Sequence, residues 1–126
     1  GIQYKITKAT KTSGNVTLIK DTQNKMVSKI PATVKIDGKK YNVTAIGKSA
    51  FAKNKKLQKV VIGKNVKTIS TKAFYGCKKL KTIDAKKSLG LKKVGKKLTS
   101  SKKCKVLVSK KKKKADTKLF KGMTVK

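Results

Sequence analysis

The chain has no Arg, His, Trp or Glu, and its only acids are Asp21, Asp37, Asp84 and Asp116. General acid–base work near neutral pH usually recruits His or paired carboxylates with separated pKa values. Here there is no His, and the four Asp are scattered along the chain. Metal sites fail for want of ligands. Gly-rich phosphate loops are absent, because the nine Gly are spaced as turn punctuation. No catalytic, cofactor-binding or metal-binding residue is therefore assigned, and no enzyme is expected.

Other scarcities narrow the partners. Without Arg, bidentate reading of guanine or phosphate loses its preferred side chain. Six aromatic residues (three Tyr, three Phe) are too few and too dispersed for a single-strand stacking platform. No sequence-specific nucleic-acid reader is expected. No apolar run approaches the roughly 18 residues of a membrane span. The opening GIQYKIT has neither the basic start nor the apolar stretch of a signal peptide. Gly1 without Met reads as a cleavage scar or a trimmed end, so a fragment of a longer protein is expected. Cys77 and Cys104 are too few for a disulfide framework and lack zinc spacing. Cys77 reads as a small buried hydrophobe, with a Cys77–Cys104 bridge between neighbouring repeats left open.

What is present is lysine. All 37 basic residues are Lys, and the net charge is +33. With 126 residues and 37% hydrophobic content, the chain is long enough for one core and not two.

That core is announced by a repeat. Residues 43–65 read VTAIGKSAFAKNKKLQKVVIGKN, and residues 66–88 read VKTISTKAFYGCKKLKTIDAKKS. Ile46 and Ile69, Ala50 and Ala73, Phe51 and Phe74, Leu57 and Leu80, and Val60 and Ile83 recur at one offset of 23 residues. That period lies within the leucine-rich-repeat range. Phe51 and Phe74 should stack across repeats. In the short strand near Lys59–Ile62, Val60 and Ile62 should face inward, with Lys59 and Val61 outward. Ile83 and Ala85 should do the same around Asp84. A worn third copy starts at Leu91. It lacks the Ala-Phe pair, offers Leu98 instead, and ends in a strand with Val106 and Val108 inward.

Residues 1–42 carry strand signals without the repeat. Alternation around Tyr4 and Ile6, and again around Val16 and Leu18, flanks a turn at residues 11–14. Asp37-Gly38 between alternating runs predicts a type I′ hairpin, with Pro31 opening its first strand. Two β-hairpins are expected to cap the first repeat. After the five lysines 110–114, Ala115 to Phe120 reads as a short helix with Ala115 and Leu119 on one face and Gly122 closing it.

The pattern I-G-x-x-A-F-x5-L-x-x-V/I-x-I resembles the BspA-like leucine-rich repeats of bacterial surface proteins. Ile46-Gly47, Ala50-Phe51, Leu57, Val60 and Ile62 carry it best, and residues 69–85 carry it again. Ser70 in place of Gly, the small Ala85 and the shortened third unit depart from it. The resemblance implies an α/β solenoid: a short leucine-rich-repeat-like stack in one domain. It would comprise a β-hairpin cap at 1–42, repeats at 43–109, and a helical C-terminal cap at 110–126. It also implies a secreted or wall-attached protein whose repeats serve adhesion or display.

The expected function is thus a noncatalytic extracellular interaction, adhesion or spacer module. It would act as a monomer with a protein or glycan ligand that the residues do not identify. The alternative is a lysine-rich module for polyanions: anionic glycan, wall polymer or nucleic acid. Lysines commonly form a solvated covering, their stems lying over apolar surface. If they form a binding face instead, the outer strand faces are the default place. Lys59, Lys81 and Lys105 are then the candidate column, beside Val61, Asp84 and Leu107.

Overall fold

A computed structural model describes Ile2–Lys126; Gly1, the first residue of the expected cap, lies outside the described residues. Two sheets wind around one axis. The first has the order β1 (Ile2–Ala9), β2 (Ser13–Asp21), β5 (Lys39–Ile46), β7 (Thr68–Ile69) and β9 (Lys93–Val94), with β4 (Thr33–Ile36) also on β5. The second has the order β3 (Val27–Lys29), β6 (Lys59–Val61), β8 (Thr82–Asp84), β10 (Lys105–Leu107) and β11 (Thr124–Val125). Each coil takes one strand from each sheet, and like strands pair in parallel between coils. The fold is a β-solenoid of about four turns. This corrects the α/β assignment: the only regular helices among the described residues are a 3-10 turn at Lys110–Lys112 and α1 (Lys113–Leu119).

Both expected hairpins form. β1 pairs antiparallel with β2, and β4 with β5. Asp37 and Gly38 have φ of 51° and 77°, the positive pair a type I′ turn requires. They do not form one cap, however. β2 runs parallel to β5, and β3 runs parallel to β6, so residues 13–29 already wind as a first coil. Only β1 lies at that end of the first sheet.

The interior follows the repeat. Val16, Val43, Ile46, Phe51, Val60, Ile62, Val66, Ile69, Phe74, Leu80, Ile83 and Val106 are all fully buried. Residue alternation in β6, β8 and β10 is as the two-residue period demands. Phe51 and Phe74 stack at 5.1 Å between centroids with a 40° tilt. In the third repeat Leu98 takes the place of Ala73, and Thr99 bridges to Phe74 where an aromatic would stand. Phe120, past α1, is 1% exposed and lines the end of the stack with Leu98 and Thr99. Coils approach too closely at some turns for a side chain. A Cβ on Gly63 would stand 2.7 Å from the Ile30 carbonyl oxygen.

The helical cap also needs correction. Ser109 caps the 3-10 turn, its Oγ accepting from the Lys111 amide at 3.3 Å. Gly122, at φ 77°, then turns the chain into β11. β11 extends the second sheet beyond β10, so the C-terminal segment is part helix and part strand. Asp116 and Phe120 are its buried residues, Leu119 is half-buried against the core, and Ala115 is exposed. A helix of seven residues is too short for propensity to set its face; packing against the core, which Phe120 joins, sets it.

Candidate interaction surface

The outward rows of the second sheet are read directly from its register. Lys59 pairs with Thr82, and Thr82 with Lys105. Two of the three candidate lysines therefore share a column, and Thr82 stands between them. Lys81 is exposed one residue earlier, its amide bonded to the Gln58 carbonyl at 2.8 Å. The neighbouring row is Val61, Asp84 and Leu107, as expected, with Lys29 before it. Lys86 reaches Asp84 at 3.9 Å, the one ion pair among the described residues. Lys86 is 57% exposed, so this pair contributes little to stability.

A different set of lysines is better stacked. Each of three successive coils places two exposed lysines directly before a buried residue. These are Lys55-Lys56 before Leu57, Lys78-Lys79 before Leu80, and Lys102-Lys103 before Cys104. Parallel strands repeat every ~4.8 Å. Three doublets thus form a ridge in which neighbouring doublets are about one strand spacing apart, inside the Debye length of ~8 Å at physiological salt. The KK doublet before an apolar residue is legible in the sequence at each of these three places.

Polar rows also bind coil to coil. The Asn42 side-chain amide donates to Asn15 Oδ1 at 3.4 Å, and that of Asn65 donates to Asn42 Oδ1 at 3.2 Å. At the next coil Ser88 turns inward, donating to the Ile62 and Gly63 carbonyls at 3.1 Å each. Buried Asn54 bridges the first two coils. Its side-chain amide donates to the Asp21 carbonyl, and its Oδ1 accepts from the Asn24 amide at 2.6 Å.

No group of three or more metal-ligating side chains occurs among the described residues. No helix there is long and apolar enough to cross a membrane. Both cysteines are free and buried. Burial pushes the Cys77 thiol up to about 11 and the Cys104 thiol up to about 12, the latter helped by Cys77 itself. Cys77 Sγ donates to the Phe51 carbonyl at 3.1 Å, taking part of the place Asn54 holds one coil earlier. The thiolate is the reactive form. At pH 8 neither cysteine should react with a soluble aromatic disulfide reagent in the native protein, and both should react in strong denaturant. Rapid native labelling would show that this face opens.

At the far end of the stack, the loop 95–102 and residues 119–124 enclose an open cavity of about 690 Å³. Its walls are the apolar Leu98, Phe120 and Met123, and its rim carries Lys96, Lys97 and Lys121. Asp116 lies behind this end, fully buried, with no hydrogen-bond partner for either carboxylate oxygen. Burial raises its pKa, and Lys112 opposes this only in part.

Comparison with known proteins agrees with this geometry. Residues 8–125 match the family model described as a BspA type leucine rich repeat region in six copies. No curated protein is matched. Among solved structures, a leucine rich cell surface protein from Faecalibacterium prausnitzii is similar at a TM-score of 0.62 and 24% identity. That similarity covers 89% of this chain and 32% of the other. A leucine-rich repeat protein from Bacteroides capillosus gives 0.58 and 23%, covering 84% and 94%. The pneumococcal vaccine antigen PcpA gives 0.54 and 19%, covering 86% and 36%. This chain thus spans about a third of the first and third of these proteins. At such identities the likeness is one of fold.

Proposed function

Because the chain belongs to the BspA-type leucine-rich repeat family, we propose that it is a noncatalytic interaction, adhesion or spacer module of a longer bacterial surface protein. It would lie outside the cell or on its wall. One observation carries the reading: the coils fill their interior with apolar side chains and present outward rows in register. Such a stack offers an extended rigid surface. The test is display of the chain on a non-adherent bacterium, with attachment counted on immobilised glycoproteins at physiological salt. Greater retention than with an undecorated cell supports an interaction role. Equal retention on every surface removes it and leaves only the spacer.

A second reading, binding of linear polyanions, is favoured by the lysine ridge. Three triple variants to Gln separate its versions. One changes Lys56, Lys79 and Lys103; one changes Lys59, Lys81 and Lys105; one changes Lys110, Lys111 and Lys113. Fluorescence anisotropy with a sulfated glycan across a salt series should show the ridge variant losing most affinity and most salt slope, since each neutralised contact releases counterions. Equal losses from all three would mean diffuse charge and no site.

A further inference from the structure

Between successive coils of the first sheet, the same two backbone hydrogen bonds recur. The Gly47 amide donates to the Leu18 carbonyl at 2.8 Å, and the Asp21 amide to the Ala50 carbonyl at 2.8 Å. One coil on, Ser70 donates to Ile46 at 2.9 Å, and Phe51 to Ala73 at 2.8 Å. One further, Gly95 donates to Ile69 at 2.7 Å, and Phe74 to Leu98 at 2.9 Å. The next members of the series are the Val94 carbonyl and the Thr99 amide. Among the described residues no further strand joins that sheet: the chain enters α1 and returns to the second sheet as β11. Among the described residues the Val94 carbonyl and the Thr99 amide have no partner in a following coil, and both residues line the cavity of about 690 Å³.

We propose that this end of the first sheet docks an acidic segment of a partner protein, which repeats the left-handed turn of the coil before it and adds itself as the missing coil edge. The missing bonds define its backbone. It must offer an N–H to Val94 and, three residues later, a C=O to Thr99, as Ser70 and Ala73 do for the coil before them. Its apolar side chain would enter the cup between Leu98, Phe120 and Met123. Its carboxylates would meet Lys96, Lys97 and Lys121 on the rim. Charge complementarity selects the occupant. A second copy would bring another net +33 to a basic rim. The opposite end of that copy's first sheet is also closed, because β1 lies antiparallel on β2. Strand addition to an open edge uses main-chain bonds for affinity and pockets for specificity.

This inference rests on the reading of the chain as an interaction module, and one titration separates their fates. The probe is a synthetic peptide copying residues 68–75 with Lys72→Glu and two further Glu at its C-terminal end. The protein is the isotope-labelled full chain, followed by amide NMR. The Thr99 amide should shift and its hydrogen exchange should slow. Methylating the peptide nitrogen at the position of Ser70 removes the donor to Val94 and should weaken binding about tenfold, the scale of one backbone hydrogen bond. The Lys97→Glu/Lys121→Glu protein, altered only at exposed rim residues, should bind the peptide more weakly still. An unmoved Thr99 amide, or equal binding of the methylated peptide, overturns the proposal. So does equal binding of an oligoglutamate of the same charge. If surface retention persists in any of these cases, the interaction reading stands and its site lies elsewhere.

Discussion

Phe74→Ala should lower the unfolding free energy by about 3–5 kcal/mol, the range for aromatic truncation in a close-packed core. Phe74 is fully buried in the middle of the stack and touches Phe51 at 5.1 Å. A tilted aromatic pair adds about 0.5–1.5 kcal/mol to area burial. The site is also poorly able to collapse. Its backbone is held from both sides, with the Phe74 amide on Leu98 and the Ala73 carbonyl accepting from Phe51. A void there would persist and would weaken both coil interfaces at once, since a solenoid's stability is a sum of neighbour terms. Against a typical total of about 5–15 kcal/mol, the loss is a large fraction. Urea denaturation followed by circular dichroism measures it. A loss under about 1 kcal/mol would mean that the two rings do not form a continuous packed column.

Asp116→Ala should have the opposite sign. A buried polar group without partners costs about 1–3 kcal/mol, and more when charged. Both oxygens of Asp116 are in that position. The Lys112 ammonium is one turn away but donates to the Leu91 carbonyl at 3.5 Å, not to the carboxylate. Removing the carboxyl should therefore stabilise the protein at pH 7 by about 1–2 kcal/mol, with some of the gain offset by the small void. The pH dependence follows from linkage. The native carboxyl is raised above its ordinary 3.8, so between the two values the native state holds the proton that the unfolded chain has released. The penalty is absent below about 3.8 and grows as pH rises through the raised native value. The gap between variant and parent should therefore open from acid to neutral pH. A gap independent of pH, or a destabilised variant at pH 7, would show that Asp116 has found a partner.

Much of the architecture was legible because it is periodic. Val60, Ile62, Ile83, Ala85, Val106 and Val108 point inward as two-residue alternation requires, and Phe51 and Phe74 stack as their 23-residue offset requires. Other positions carried no such mark. Ser49, Lys72 and Lys97 all adopt positive φ, between 52° and 58°, just before the buried Ala50, Ala73 and Leu98. That left-handed turn recurs in three coils without the Gly that would have announced it. In the sequence the first coil looks like cap alone, because its two strands lack the Ala-Phe signature. Coil membership depends on pairing with β5 and β6, which no local pattern encodes. The candidate column of Lys59, Lys81 and Lys105 was misaligned by one residue at its centre. Lys81 precedes its strand, and register in a parallel sheet is settled by which carbonyl each amide reaches.

The chain's order of residues was enough to specify a wound stack of short coils, its apolar interior, its two hairpins and its lysine exterior. Each of these follows from local period and composition, which act over a few residues or one repeat. Tertiary structure alone decided where the stack begins and which lysines form a ridge. It also decided that Phe120 is buried at the end of the stack, and that Val94 and Thr99 end the first sheet with their coil-facing groups unmatched. Those outcomes depend on hydrogen bonds and packing between segments more than 20 residues apart. Their partners are chosen by the closure of the coil around its core, not by any neighbour in sequence.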